Sequence, residues 1–241
     1  MLRVLTVELR KLNRSLAAAL AVAAPGLIAV FIFFNMLRGE TAQPWDMWMI
    51  SAAGIWAFFM LPMSVTALTA LVAHMEHGPR TWDHLRALPL PRWTIYAAKA
   101  LSVFLVLALM SVGVFAFTWV AVKLAVLIKP ELAPTGLFDT AAYLTALGRM
   151  YLAATLVVVV QLWIALRWSS FVPGLVVGIG GTFFAVVATA ARVGVFLPWQ
   201  MPVNMLATEG WRMQTALGLG LGGGLVLLAL MLWYLSRREV L

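Results

Sequence analysis

EHGPRTWDHLRALPLPRWTIYAAK, residues Glu76 to Lys99, is the polar break that divides an otherwise apolar chain. It carries two of the three histidines, Arg80, Arg86, Arg92 and Lys99, and three of the eleven prolines. Gly78-Pro79 reads as a helix start, because proline fits a first turn that needs no N–H. Trp82, Leu85 and Leu88 then recur every third residue, which predicts one apolar face about two turns long. Pro89 and Pro91 stop the helix, since the residue before a proline is pushed out of helical geometry. A short amphipathic helix framed by prolines, set between two long apolar runs, is a docking surface.

Working outward, the 241-residue chain is 63% hydrophobic and only 11% charged, with mean hydropathy +0.97. Soluble domains run near half apolar and a quarter charged. The excess lies in runs long enough to cross about 30 Å of hydrocarbon as helices. Six are expected, at about 15–36, 47–75, 97–121, 147–166, 171–191 and 215–235, the third extending towards Ile128. Residues 1–14 place Leu2, Leu5, Leu9 and Leu12 on one stripe beside Arg3, Glu8, Arg10, Lys11 and Arg14, the pattern of a helix lying in the membrane interface. The fold class is therefore an all-α integral membrane protein: six transmembrane helices, an N-terminal amphipathic interfacial helix over 1–14, and a membrane domain over 15–241. Pro25 and Pro62 fall inside spans and mark kinks. The residues 192–214 form an outer segment between the last two spans.

Six spans put both termini on one side. That side collects Arg3, Arg10, Lys11, Arg14, Arg80, Arg86, Arg92, Lys99, Arg167, Arg237 and Arg238, against Arg38, Lys123, Lys129, Arg149, Arg192 and Arg212 on the other. The positive-inside rule makes the termini and the 76–99 loop cytoplasmic. The net charge of +8 is scattered between spans and not gathered with stacking aromatics on one soluble face, so nucleic acid is not the partner. Anionic lipid is.

Enzyme chemistry finds little support. There is no cysteine, hence no disulfide or thiolate metal site, and no GxxxxGK[ST] phosphate loop. His74, Glu76 and His77, with His84 nearby, lack a further buried ligand to complete a metal set. Ser64, Ser102 and Ser111 have no GxSG setting, which disfavours an intramembrane serine protease. Only Lys123 and Arg149 sit within apolar sequence, too few charges for an ion-coupled carrier. Gly174 and Gly178 in span five and Gly218, Gly220, Gly222 and Gly224 in span six permit close helix approach, within the bundle or across a dimer.

The arrangement resembles the six-span permease subunits of ABC-2 type (type V) transporters, in particular the small lantibiotic-immunity and bacitracin-resistance permeases. The likeness is carried by ELRKL in the N-terminal helix and by Glu76, Thr81-Trp82, Leu85, Leu88-Pro89, Arg92 and Lys99 in the loop after span two. Leu197-Pro198-Trp199 and Pro202 before span six add to it, similar to the outer re-entrant helices of that group. The resemblance implies a coupling helix seated in a separate ATPase, which holds the ATP and Mg. Trp82, Leu85 and Leu88 would anchor it and Arg80, Asp83 and Arg86 would rim it. Glu76, Pro79, Pro89, Arg92 and Lys99 would serve structure and coupling, with Glu76 paired to Arg80 or to a base of the N-terminal helix. It also implies a second permease, identical or homologous, a bacterial inner-membrane location, and export of an amphipathic peptide antibiotic or lipid-like solute. Two other readings stand beside it: a membrane scaffold or sensor that recruits a cytosolic partner by the same helix, and an intramembrane enzyme.

Overall fold

The computed structural model describes residues 1–78, 82–87 and 89–237, excepting the side chains of Asp83, His84, Arg86 and Ala190. The described chain is almost entirely helical. Helix α1, Leu2–Asn13, is followed by Ser15, whose hydroxyl accepts from the Ala17 N–H and starts α2, Leu16–Arg38. Span two is one continuous rod, α3 (Trp45–Ile55), a π-helical turn (Trp56–Met60) and α4 (Leu61–His77). The short α5, Trp82–Ala87, leads to α6, Arg92–Ile128. Span four consists of α7 (Thr140–Ala153) and α8 (Thr155–Arg167), which meet at Ala154. Next come α9 (Val172–Val187) and a series of 3-10 turns. The last span comprises α10 (Gly210–Leu217), a π-helical turn (Gly218–Gly223) and α11 (Gly224–Arg237).

Among the described residues, five of these spans are long and apolar enough to cross a membrane: Leu16–Arg38, Trp45–His77, Arg92–Ile128, Thr140–Arg167 and Gly210–Arg237. The fifth expected span, 171–191, is shorter than the sequence reading proposed. Its helix has 16 residues, about 24 Å at 1.5 Å each, and gives way to a 3-10 turn at Ala188–Ala190. At the other extreme α6 has 37 residues, about 55 Å, and overruns the hydrocarbon.

Two expected boundaries moved for identifiable reasons. Span four begins at Thr140, well before 147, because the Asp139 carboxylate accepts from the Ala142 N–H and caps it. Pro62 does not break span two. A proline cannot donate an N–H and crowds the preceding turn, and the π turn before it takes up the mismatch: the Leu61 N–H donates to the Trp56 carbonyl, five residues back. Pro25 is likewise inside an unbroken α2, its ring lying over Gly113 of α6, where a Cβ would stand 3.2 Å from Pro25 Cγ.

Helix α2 packs along α6, α4 along α8 and α9, and α11 along α8, around a core that fully buries Trp56, Met49, Leu68, Met110, Met150 and Leu162. The glycines divide cleanly. A Cβ on Gly178 would overlap Thr66, one on Gly220 the Ala153 carbonyl, and one on Gly224 would lie 2.7 Å from Thr155 Cγ2. These three serve packing inside the bundle. Gly174, Gly218 and Gly222 have nothing within 4 Å of that position.

At the end opposite α1, the loops before α3 and α7 are clipped together. The Trp45 N–H donates to the Thr135 carbonyl (3.2 Å) and the Thr135 N–H to Gln43 (3.1 Å). Lys129 donates to the Leu37 carbonyl at 2.9 Å, closing the C-terminal end of α2. Lys123 is held over the stacked rings of Trp45 and Trp119, 5.2 and 5.3 Å from their centroids. Arg149 lies 3.7 Å from the Met213 sulfur.

Candidate functional site: a buried charge cluster behind the short loop helix

Helix α1 is amphipathic, yet its most buried residues are Leu12 and an acid, Glu8. The i, i+3 spacing puts Glu8 and Lys11 side by side on the face turned towards the bundle. Glu76 occupies the last turn of α4, and Lys99 the second turn of α6. The packing of α1 on α6 brings all four together. Lys99 Nζ donates to Glu8 Oε2 and to Glu76 Oε1, each at 2.8 Å. Lys11 Nζ donates to Glu76 Oε1 at 2.7 Å and to Glu8 Oε1 at 3.1 Å. Among the described residues, two carboxylates and two ammonium groups alternate in a ring whose own charges balance.

The burial is deep. The Lys99 side chain is 0% exposed and that of Glu76 2%, whereas Lys11 keeps 33%. Isolated ions at such positions are prohibitively costly, so the ring persists because each charge faces at least two opposite ones. Burial alone would lower the Lys11 ammonium, but the Glu76 hydrogen bond and the charges of Glu8 and Glu76 outweigh it and hold Lys11 above its ordinary value.

The loop helix rests against this ring. Trp82 is half-buried, its indole N–H donating to His77 Nδ1 at 3.0 Å. Its ring stacks on Tyr96 with centroids 5.7 Å apart, and Lys99 Nζ stands 5.8 Å from it. Trp82 therefore ties α5 to the ends of both flanking spans. Leu85 is half-buried, Pro89 and Arg92 are exposed. Of the remaining sequence-derived loop residues, Pro79, Arg80 and Leu88 and the side chains of Asp83 and Arg86 lie outside the described residues. The expected pairing of Glu76 is realised with a base of α1, Lys11. Glu8, expected only on the charged flank of α1, joins the pairing as well; its spacing of three from Leu5 and four from Leu12 is the signal that it shares their face.

The outer segment is a separate assembly. Trp199 is half-buried against Gly181 of α9, where a Cβ would lie 2.5 Å from its ring, and Pro202 is buried while Pro198 is half-buried. Gln200 is buried and donates to the Ala185 carbonyl and to Thr189 Oγ1. Asn204 donates to the Gln200 carbonyl (2.8 Å) and accepts from Arg212 Nε (3.1 Å). It is distant in the chain from the charge ring and shares no residue with it.

Neither a curated protein nor a solved structure matches the chain. A family model described as ABC-2 family transporter protein matches residues 4–188, from α1, with Glu8 and Lys11, through the loop helix and Lys99 to the end of α9. The helical architecture and this match over more than half of the chain agree: the chain belongs to the ABC-2 transporter family, as a multi-pass permease subunit of an ABC transporter.

Proposed function

We propose that this permease works with a separate ATP-binding cassette ATPase, which seats on the loop from Glu76 to Lys99 and drives export of an amphipathic solute, a peptide antibiotic or a lipid-like compound. The observation that carries the reading is the position of the charge ring directly behind α5. Trp82 joins that helix to His77 at the end of span two and to Tyr96 at the start of span three. A push on α5 is then delivered to the ring, and through it to α1, α4 and α6 together. Among the described side chains, Leu85 is the contact of the ATPase seat, in the manner of a helix laid in a groove, and the sequence adds Leu88, Arg80, Asp83 and Arg86 to the proposed contact. Trp82 holds the helix in place.

In this reading ATP and Mg reside on the partner. A second permease, identical or homologous, completes the solute path, because one bundle of this size does not enclose one. Both termini and the loop face the cytoplasm of a bacterial inner membrane, in keeping with the basic residues on that side. The residues 192–214 form the outer re-entrant segment.

Affinity purification of the chain from its native membrane tests the docking. An ATPase with a phosphate loop is expected to co-purify, and Leu85→Asp is expected to abolish its recovery while thermal unfolding of the permease stays as in the wild type. Undiminished recovery of the ATPase with Leu85→Asp refutes the proposed seat.

A further inference from the structure

Helix α1 has a second face. Where the first holds Glu8 and Lys11 against the ring, the other borders an open groove of about 430 Å³ between α1, α2 and α6, a volume in the range of small-molecule sites. The groove is chemically two-sided. Among the described residues, the polar side chains that line it, Thr6, Arg10 and Asn13, belong to α1, which also contributes Leu9 and Leu12, whereas α2 and α6 contribute only apolar ones. On α2 the wall is Ala17, Ala18 and Ala21, a run of small residues that leaves the space open. On α6 it is Val106 and Leu109. Leu109 lies ten residues beyond Lys99, so the groove descends about 15 Å from the level of the charge ring into the hydrocarbon.

The polar edge is electropositive. Arg10 makes no ion pair or hydrogen bond among the described residues, in contrast to the fully engaged Glu8 and Lys11. Ala17 and Ala18 belong to the first turn of a 23-residue helix, whose N-terminal dipole adds positive potential at the same place. A guanidinium with free donors suits a phosphate. The ring fixes α1 against α6, so that this face is held open over the groove.

We infer that the groove binds one anionic phospholipid of the leaflet on which α1 lies, its phosphate at Arg10 and Asn13 and one acyl chain along Ala17, Ala21, Val106 and Leu109. The site is independent of transport and of any ATPase, and it is distinct from a solute path between two permeases.

The test uses the full chain, purified in detergent, exchanged into micelles containing equal palmitoyl-oleoyl phosphatidylglycerol and palmitoyl-oleoyl phosphatidylcholine, and read by native mass spectrometry. The wild type is expected to retain one phosphatidylglycerol in preference to phosphatidylcholine. Arg10→Gln, a change at an exposed position, is expected to lower that retained lipid about fivefold, the effect of one basic residue at an anionic surface. Ala21→Phe, which fills the groove, is expected to remove it. Equal retention of the two lipids overturns the inference, and so does a preference that Arg10→Gln leaves unchanged. A change in the monomer–dimer ratio alone with Ala21→Phe would assign the groove to a second copy of the chain, and likewise overturns it.

Discussion

Replacing Lys99 with methionine removes the charge of the most buried member of the ring and keeps an unbranched side chain of similar length. The wild-type ammonium sits 2.8 Å from both Glu8 and Glu76 with no exposed surface. Among the described residues, Lys99→Met leaves the two carboxylates sharing Lys11, whose side chain is 33% exposed, so both acids lose their most deeply buried counter-charge. Breaking a buried pair in this way costs about 3–5 kcal/mol. For a chain of this size each kcal/mol moves the midpoint by about 2–4 °C, so the expected fall is about 6–20 °C. The paired variant Glu8→Gln with Lys99→Met restores the charge balance between Glu76 and Lys11. It is therefore expected to be more stable than the sum of the two single losses by at least about 1 kcal/mol. Tryptophan-fluorescence melting in detergent reads both quantities. A midpoint within about 2 °C of wild type for Lys99→Met, or strict additivity in the double variant, refutes a coupled buried ring.

Other parts of the structure make further predictions. Gly220→Ala drives a methyl into the Ala153 carbonyl and is expected to lose about 1–3 kcal/mol, while Gly222→Ala, two residues away with open space around it, is expected to be neutral or to gain about 0.5–1 kcal/mol; melting curves of the two variants compare them directly. Lys123→Gln removes a cation held over Trp45 and Trp119 and is expected to cost about 0.5–1 kcal/mol, with Lys123→Arg close to wild type in the same assay. Because Lys11 is held above its ordinary value, its contribution is fully present below the unfolded lysine value near 10.5 and is lost as pH rises through the higher folded one. The stability gap between wild type and Lys11→Met is therefore expected to be constant from pH 6 to pH 9 and to narrow only above about pH 10.5, as followed by melting across that range.

The membrane class, the amphipathic α1 and the proline-framed α5 were legible because each is a local property: apolar run length, a helical stripe, and the backbone limits of proline. The short α9 was less so, since hydropathy counts Ala188–Ala191 as span while the backbone there leaves the α-helix. Asp139 shows the converse case, where a capping acid inside an apparent loop moved a helix start seven residues earlier than hydropathy placed it. Glu76 and Lys99 were marked out individually, but their joining through Glu8 depends on the docking of α1, separated from Lys99 by 91 positions. Periodicity along one helix carries no information about such a contact. Trp82 also illustrates the limit: the spacing placed it on the face of α5 with Leu85, and the structure turns its indole onto His77 and Tyr96.

Why charges should hold this junction follows from the solvent around it. Within lipid, apolar helices have no hydrophobic drive to associate, and the same side chains fit several registers almost equally well. An apolar α1 would slide or rotate on α6 with little penalty. A ring of four charges does not permit this: moving α1 by one residue, about 1.5 Å along its axis, takes Glu8 out of contact with Lys99 and leaves both ions dry. Charge pairs of this kind add little net stability compared with apolar packing, but they penalise every alternative arrangement. If α5 is the seat of the ATPase, as proposed above, that property matters more than stability does. The ring ties α1, the end of span two and the start of span three together. Under the proposed ATPase coupling, variants of the ring are expected to uncouple ATP hydrolysis from transport before they unfold the bundle, as read by ATPase and transport assays on the same proteoliposomes.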